Sequence, residues 1–174
     1  MPVVAIFDVD RITLTGAVPD RAAKSRLQAL ALANAKRGQG NIANFLTINP
    51  DVPRSVGVRV VELTSTRFPT GSADVMPAHA IELARVVSIM NALPHITALV
   101  IGHSDQRGDR RTNFELSAAR AASVLDYLAS HGVEPSRLSS RAVGEADLLT
   151  LNNDDAALAL NRRTEFVFYG LLIE

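Results

Sequence analysis

The segment from residue 77 to residue 131 constrains the fold most, because it sets a short apolar run between two amphipathic stretches. Residues 77–93 and 113–131 carry apolar side chains at the three- to four-residue spacing of one helix face. Residues 96–101 are continuously apolar apart from one threonine, as in a buried strand. Each helix must bury its apolar face. The strand that lies between the two helices in sequence can join a sheet, and one face of that sheet can cover the apolar side chains. The segment therefore predicts helices layered on strands.

Three further stretches are typical of strands. Residues 56–68 are rich in β-branched side chains, and residues 137–143 and 164–169 are short and partly apolar. Between the last two, residues 144–160 are polar and predict a loop. The resulting order, βαβαββ, predicts an α/β fold, more specifically an α+β sandwich of two layers.

The N-terminal part predicts a smaller βαβ-like unit. Residues 3–18 form two β-rich runs, residues 20–36 have helical composition, and residues 41–53 combine a short strand with a proline-rich exit. Because proline-rich segments commonly mark domain boundaries, we predict a small domain over 1–53 and a larger one over 54–174.

Composition excludes several classes of protein. The 174 residues are 47% hydrophobic and 21% charged with a net charge of zero, which indicates a folded chain without the basic field that nucleic-acid binding requires. There is no cysteine, and the four histidines lack metal-ligand spacing, so we expect neither a metal nor another cofactor. The chain shows no export signal, and we expect any membrane association to come from a segment outside it.

The stretch "LVIGHSDQRGD", residues 99–109, places His103, Ser104 and Asp105 side by side. These are the residue types of a hydrolase triad, but catalytic triads assemble across a fold, and the nucleophile sits on a sharp G-x-S-x-G turn. Here position 106 is Gln, so that turn is missing. By itself the stretch predicts a solvated turn, and its function depends on the residues around it.

The surrounding residues repeat a family pattern in order. After "GHSD" come "NFELSAARAASVLDYLASHGV", then "VGE", then "NRRTEF". This succession resembles the C-terminal domain of the outer membrane protein A family over residues 66–169, a domain also found in peptidoglycan-associated lipoproteins and flagellar motor stators. The resemblance implies a non-catalytic protein of the cell envelope, on its periplasmic, cell-wall side, that binds peptidoglycan without cleaving it.

The same resemblance implies which residues bind the ligand. The family grips the diaminopimelate residue of the peptidoglycan stem peptide with one Asp and one Arg, which correspond to Asp105 and Arg120. A carboxylate can accept from the ligand's ammonium group, and a guanidinium can donate two parallel N–H groups to its carboxylate. Asn113 lies two helical turns before Arg120, so both project from one stripe. The predicted site comprises Ser104, Asp105, Gly108, Asn113, Leu116, Arg120 and Arg163.

Two resemblances compete for the N-terminal unit. "VVAIFDVDRITLTGAV" is similar to the aspartate motif of haloacid-dehalogenase phosphatases, in which Asp8 would be the nucleophile and Asp10 the general acid. Arg11 replaces the glycine of that motif, so a hairpin turn is the favoured interpretation and the phosphatase is the enzyme alternative. "ITLTGAVPD" with the helix and strand that follow resembles half of a BON domain, a small envelope module, which implies an accessory role for residues 1–53.

Overall fold

A computed structural model describes residues 3–8, 10–35, 41–62 and 67–172. The strands are β1 (Val3–Phe7), β2 (Arg11–Thr15), β3 (Ala17–Val18), β4 (Asn41–Asn44), β5 (Thr47–Ile48), β6 (Val58–Glu62), β7 (Thr97–His103), β8 (Leu138–Gly144) and β9 (Thr164–Tyr169). The helices are α1 (Arg21–Ala33), α2 (Pro77–Ala92), α3 (Arg110–Ser130) and α4 (Asp155–Asn161). Among the described residues no helix has the length and hydropathy needed to cross a bilayer.

Strands β1 and β2 form the antiparallel hairpin that the sequence predicts. Val3, Ala5 and Phe7 alternate with less buried residues, so one face of β1 enters the core. The Asp8 N–H donates to the Arg11 carbonyl oxygen at 2.9 Å and closes the turn. This hairpin begins the first of two compact units.

The first unit contains β1 to β6, α1 and the end of the chain from Phe166. Its strands follow the order β4-β2-β1-β6-β9, in which β1 and β6 are parallel and β6 and β9 antiparallel. Helix α1 begins after Asp20, whose carboxylate accepts from the Ala23 N–H at 2.8 Å, and it buries Ala23, Leu27 and Ala31. The helix ends at Ala33, before the predicted end at Lys36, which lies outside the described residues. Of the strand predicted over 56–68, residues 58–62 form β6, residues 63–66 lie outside the described residues, and residues 67–68 are not in a strand.

The second unit contains α2, β7 from Ala98, α3, β8, α4 and the first two residues of β9. Strands β7 and β8 are parallel, and α3 lies so close to β7 that a Cβ at Gly102 would be 1.9 Å from the Ser117 carbonyl oxygen. This close approach brings the end of β7 and one face of α3 together. The site described below lies at that place.

The α/β class is confirmed, and each predicted strand and helix has a counterpart in the structure with bounds that differ at some ends. Two differences affect the organisation of the chain. Helix α4 occupies part of the predicted loop over 144–160, because Asp154 caps it through the Ala157 N–H at 2.9 Å and Leu158 is buried. The predicted boundary after residue 53 does not coincide with the division into compact units, because β6 pairs with β1 and β9 pairs with β6.

Candidate functional site

A pocket of about 160 Å³ opens in the second unit where β7 ends and α3 begins. Its lining combines side chains of both charges with hydroxyl groups and one leucine. The lining residues are Thr70, Gly71, Ser104, Asp105, Arg107, Thr112, Asn113, Leu116, Arg120 and Arg162. Five of the seven residues predicted from the sequence are among them.

Asp105 lies two residues beyond the end of β7 and is only 6% exposed. Its Oδ1 accepts from the Arg107 backbone N–H at 3.0 Å, which fixes the turn that follows. Its Oδ2 accepts from Arg162 Nη1 at 2.9 Å, and Arg107 Nη2 lies 3.8 Å away. The carboxylate is therefore held in place by an ion pair with Arg162, the neighbour of the predicted site residue Arg163.

Arg120 is fully buried on α3. Its guanidinium donates to three backbone carbonyl oxygens: from Nε to Ser72 at 3.0 Å, from Nη1 to His103 at 2.8 Å and from Nη2 to Pro69 at 3.3 Å. The Phe68 ring lies 5.2 Å from Cζ. Burial and the nearby Arg162 cation lower the pKa of Arg120 to about 10, so the side chain remains a cation at neutral pH.

Within the part of the chain that the structure describes, these contacts leave the charge of Arg120 without a bonded counterion. Its three hydrogen bonds all go to neutral carbonyls, while Asp105, the one acid that lines the pocket, is bonded to Arg162. A buried cation is costly unless an anion compensates it, and two of the five guanidinium N–H groups have no partner in these three bonds. The pocket is therefore suited to a small carboxylate.

The remaining lining residues offer both polar and apolar contacts. Ser104 Oγ is buried, lines the pocket and has no hydrogen-bond partner among the described residues. Asn113 donates from Nδ2 to Glu145 Oε2, which fixes its amide, and Leu116 adds a half-buried apolar wall. A ligand with a hydrocarbon chain and a charged end would find partners for both.

Helix α3 places its site residues on one face, as the sequence predicts. It begins after Asp109, whose Oδ1 accepts from the Thr112 N–H at 2.9 Å. Asn113, Ser117 and Arg120 are the buried polar residues of this helix, and their spacing of three and four residues aligns them. Ser117 Oγ accepts from the Gly144 N–H at 2.9 Å and supports the neighbouring strand β8.

Two predicted site residues do not line the pocket. Gly108 lies in the following turn with a φ of 93°, a backbone conformation that favours glycine. Arg163 is buried beside Glu165, with Nη2 at 2.6 Å and Nε at 2.7 Å from Oε1. Of the adjacent arginines in "NRRTEF", Arg162 is the one that reaches the pocket, and the sequence carries no signal that distinguishes them. Thr70 and Gly71 come from "RFPTGSADVMP", a segment the sequence resemblance included but did not place in the site.

His103 lies beneath the pocket and is fully buried. Its Nδ1 is 3.2 Å from the Asp147 carbonyl oxygen and its Nε2 is 3.7 Å from Glu165 Oε2. Burial, reinforced by the Arg163 cation, lowers the pKa of His103 to about 4, so the ring is neutral at pH 7. Because Ser104 Oγ has no partner within the described chain, no base is bonded to it, and the adjacent His, Ser and Asp do not form a triad.

His103, Asp147 and Glu165 are the group of possible metal ligands found in the described part of the chain, with candidate atoms within 4.8 Å of one another. Glu165 is already bonded to Arg163, whose positive charge opposes a metal ion there. Within this group Glu165 forms a buried ion pair with Arg163 beside the neutral His103 ring, while Asp147 is exposed.

Comparisons with known proteins identify relatives of the second unit and, in one case, of most of the chain. Residues 67–162 match the sequence profile of the OmpA family. The peptidoglycan-associated lipoprotein of Agrobacterium fabrum is 33% identical over 103 residues, which cover 59% of this chain and 58% of that protein. The peptidoglycan-binding protein ArfA of Mycobacterium tuberculosis is 27% identical over 169 residues, covering 91% of this chain and 51% of ArfA.

A solved structure agrees with the sequence relatives. The crystal structure of the peptidoglycan-associated lipoprotein from Burkholderia pseudomallei superposes with a TM-score of 0.57 at 26% identity, covering 59% of this chain and 87% of that one. This chain spans little more than half the length of the two sequence relatives. None of these matches supports a phosphatase, and Asp8 and Asp10 are exposed residues at the β1–β2 turn.

Proposed function

The chain belongs to the OmpA family, and on this basis we propose that it binds peptidoglycan without cleaving it, through the diaminopimelate residue of the stem peptide. The relatives named above are called peptidoglycan-associated or peptidoglycan-binding. The observation that carries the proposal is the buried Arg120 cation, which lies in one pocket with Asp105 and whose hydrogen bonds to described residues all go to carbonyls.

The chemistry of diaminopimelate matches this arrangement. One end of the residue is a free amino acid group with an ammonium and a carboxylate on the same carbon. The carboxylate can accept from the N–H groups of Arg120 that the carbonyls leave available, and its charge compensates the buried cation. The ammonium can donate to Asp105, which then shares its two oxygens between the ligand and Arg162. Asn113 and Ser104 add polar contacts, and Leu116 can cover the methylene chain.

The rest of the predicted site and the location of the protein follow as parts of this proposal. The Gly108 loop contributes backbone N–H groups near the ligand, and Arg163 acts indirectly by holding Glu165 under β7. The protein resides in the cell envelope on the side that faces the wall, and its N-terminal portion, residues 1–53, serves as a BON-like accessory module.

Binding to purified walls tests the proposal. Wild-type protein is expected to sediment with diaminopimelate-type peptidoglycan and much more weakly with lysine-type peptidoglycan, which lacks the second carboxylate. Asp105→Asn keeps the shape of the side chain and removes its charge, so we expect roughly tenfold weaker binding or worse. Asp126→Asn, an exposed change on α3 outside the pocket, is the matched control.

Two results would contradict the proposal. Equal retention of wild-type protein on both wall types would show that the second carboxylate of diaminopimelate is not recognised. Release of soluble muropeptides during incubation would show that the protein is an enzyme.

A further inference from the structure

We infer that Arg107 makes the pocket selective for stem peptides that carry a second free carboxylate beside the diaminopimelate residue. This inference rests on the proposed function and concerns which form of the ligand the same site prefers. It follows from the charge of the pocket lining and from the contacts of Arg107.

The pocket lining contains more positive than negative charge. Three arginines, Arg107, Arg120 and Arg162, face one acid, Asp105. Two further acids lie outside the lining: Glu145, which accepts from Asn113, and Asp155, whose carboxylate is 4.0 Å from Arg107 but fully exposed, so that solvent screens its charge. The amino acid end of diaminopimelate carries one charge of each sign. Binding it therefore leaves the excess in place.

Arg107 is the arginine that can accept a further anion. Its side chain is 49% exposed at the pocket. Its ion pairs with described residues, to Asp105 at 3.8 Å and to Asp155 at 4.0 Å, are both longer than a hydrogen bond, and Asp155 is fully exposed. Arg162, by contrast, donates to Asp105 and to the Phe68 carbonyl at 2.9 Å each, and Arg120 is fully buried.

The stem peptide offers a suitable group. The γ-linked glutamate that precedes diaminopimelate keeps its α-carboxylate outside the peptide chain, either as the free acid or as the carboxamide. A free carboxylate can form a charge-assisted hydrogen bond with Arg107, whereas a carboxamide cannot supply the charge. The selected ligand class is therefore a stem peptide with two free carboxylates and one ammonium in reach of the pocket.

The test compares two synthetic tripeptides, L-Ala-γ-D-Glu-meso-diaminopimelate with the glutamate α-carboxylate free and the same peptide with that group amidated. In both, the diaminopimelate carboxyl that continues the stem is capped as a carboxamide. Isothermal titration measures both against wild type, Arg107→Gln and Arg110→Gln. Arg110 is an exposed first residue of α3 outside the pocket lining, so its variant removes the same charge nearby. We expect wild type and Arg110→Gln to prefer the free acid by roughly three- to tenfold. Arg107→Gln is expected to bind both peptides equally.

The outcomes separate this inference from the proposed function. Equal affinity of wild type for both peptides, or an unchanged preference in Arg107→Gln, would overturn the role of Arg107 while peptidoglycan binding stands. If Arg110→Gln lost the preference for the free acid to the same extent, the preference would come from long-range electrostatic attraction. That result would also overturn the inferred role of Arg107. Failure of wild type to bind either peptide would overturn both.

Discussion

Arg120 has a structural role as well as its proposed role in binding. Its guanidinium joins the Pro69–Ser72 segment to the end of β7 at His103, through three carbonyls that would otherwise lack this donor. An arginine in "LSAARA" indicates a ligand contact by family resemblance, but nothing in the sequence shows that its partners in the unliganded protein are backbone oxygens. A mutational test of binding therefore has to measure folding too.

Replacing Arg120 by alanine is expected to remove ligand binding and also to lower the free energy of unfolding by about 3 kcal/mol, because the buried His103 carbonyl and two part-buried carbonyls lose their donor. Urea denaturation with a matched wall-binding assay measures both effects. Arg110→Ala is the control and should change neither by a measurable amount. A variant that loses binding at full stability would show that the carbonyl contacts contribute little.

The buried His103 makes stability depend on pH. Its pKa is lowered to about 4 in the folded protein from the ordinary value of 6.5, so between these values the unfolded chain binds a proton that the folded chain does not. Stability is therefore complete above pH 6.5 and falls as the pH drops toward 4, by about 3 kcal/mol in total for this group.

Urea denaturation at pH 7 and at pH 4.5 measures this dependence. His103→Asn keeps a side-chain donor for the Asp147 carbonyl and removes the titration, so its stability should change less between the two pH values than that of wild type. The exposed His95→Asn variant is the control and should follow wild type. The same slope in His103→Asn would assign the pH dependence to other groups.

At the scale of elements, helices and strands were predicted correctly where apolar residues recur at a helical period or alternate with polar ones. The β1–β2 hairpin, α2 and α3 all carry such repeats, and their existence follows from the sequence. Helix α4 has seven residues, too few to display a helical period, and lies in a polar stretch. The pairing of β6 with β1 depends on contacts distant in sequence, which local patterns do not encode. The pocket was predictable as far as the family motif extends, but the choice between two adjacent arginines was not.

Helix α4 contributes to the site through Asn161, its fully buried last residue. Asn161 Nδ2 donates to Gln106 Oε1 at 3.0 Å, and its Oδ1 accepts from the Leu149 and Thr150 N–H groups. Gln106 lies between Asp105 and Arg107, so this amide holds the turn that carries two of the four charged residues that line the pocket.

Asn161→Leu keeps the approximate volume and leaves buried polar groups unpaired, so we expect a loss of about 2–4 kcal/mol of stability. We also expect weaker wall binding under conditions where the variant is still folded, because the Gln106 turn is released. Thermal denaturation and sedimentation with walls measure the two effects. Asn91→Leu, at an exposed position on α2, is the control. Unchanged binding by folded Asn161→Leu would show that the turn holds its shape without α4.

At the scale of the whole molecule, the strand pairing predicts how the chain responds to a cut. The loop after β5 is exposed around Pro53, so a protease site inserted there can be cleaved in the folded protein. The two pieces should still elute together, because β1 pairs with β6 along five residues and buries Val3, Ala5 and Phe7. Wall binding should persist, since every lining residue belongs to the second unit.

Size-exclusion chromatography before and after cleavage measures this, and cleaved protein in urea provides the separated reference. Separate elution of the pieces without urea would mean that residues 1–53 behave as an independent domain. The domain boundary would then lie at the proline-rich segment, as the sequence suggests.

The position of β9 at the far end of the chain has a consequence for synthesis. The ribosome makes β6 early and β9 only after α2, β7, α3, β8 and α4, yet β9 is the antiparallel neighbour of β6. These helices and strands follow one another closely in sequence and can fold first. One edge of β6 stays unpaired until β9 has been synthesised. An unpaired edge is open to other chains, so this interval is when a nascent chain most needs a chaperone. Ribosome-bound chains halted before residue 164 should therefore bind chaperones at β6, and release of the full chain should end that binding.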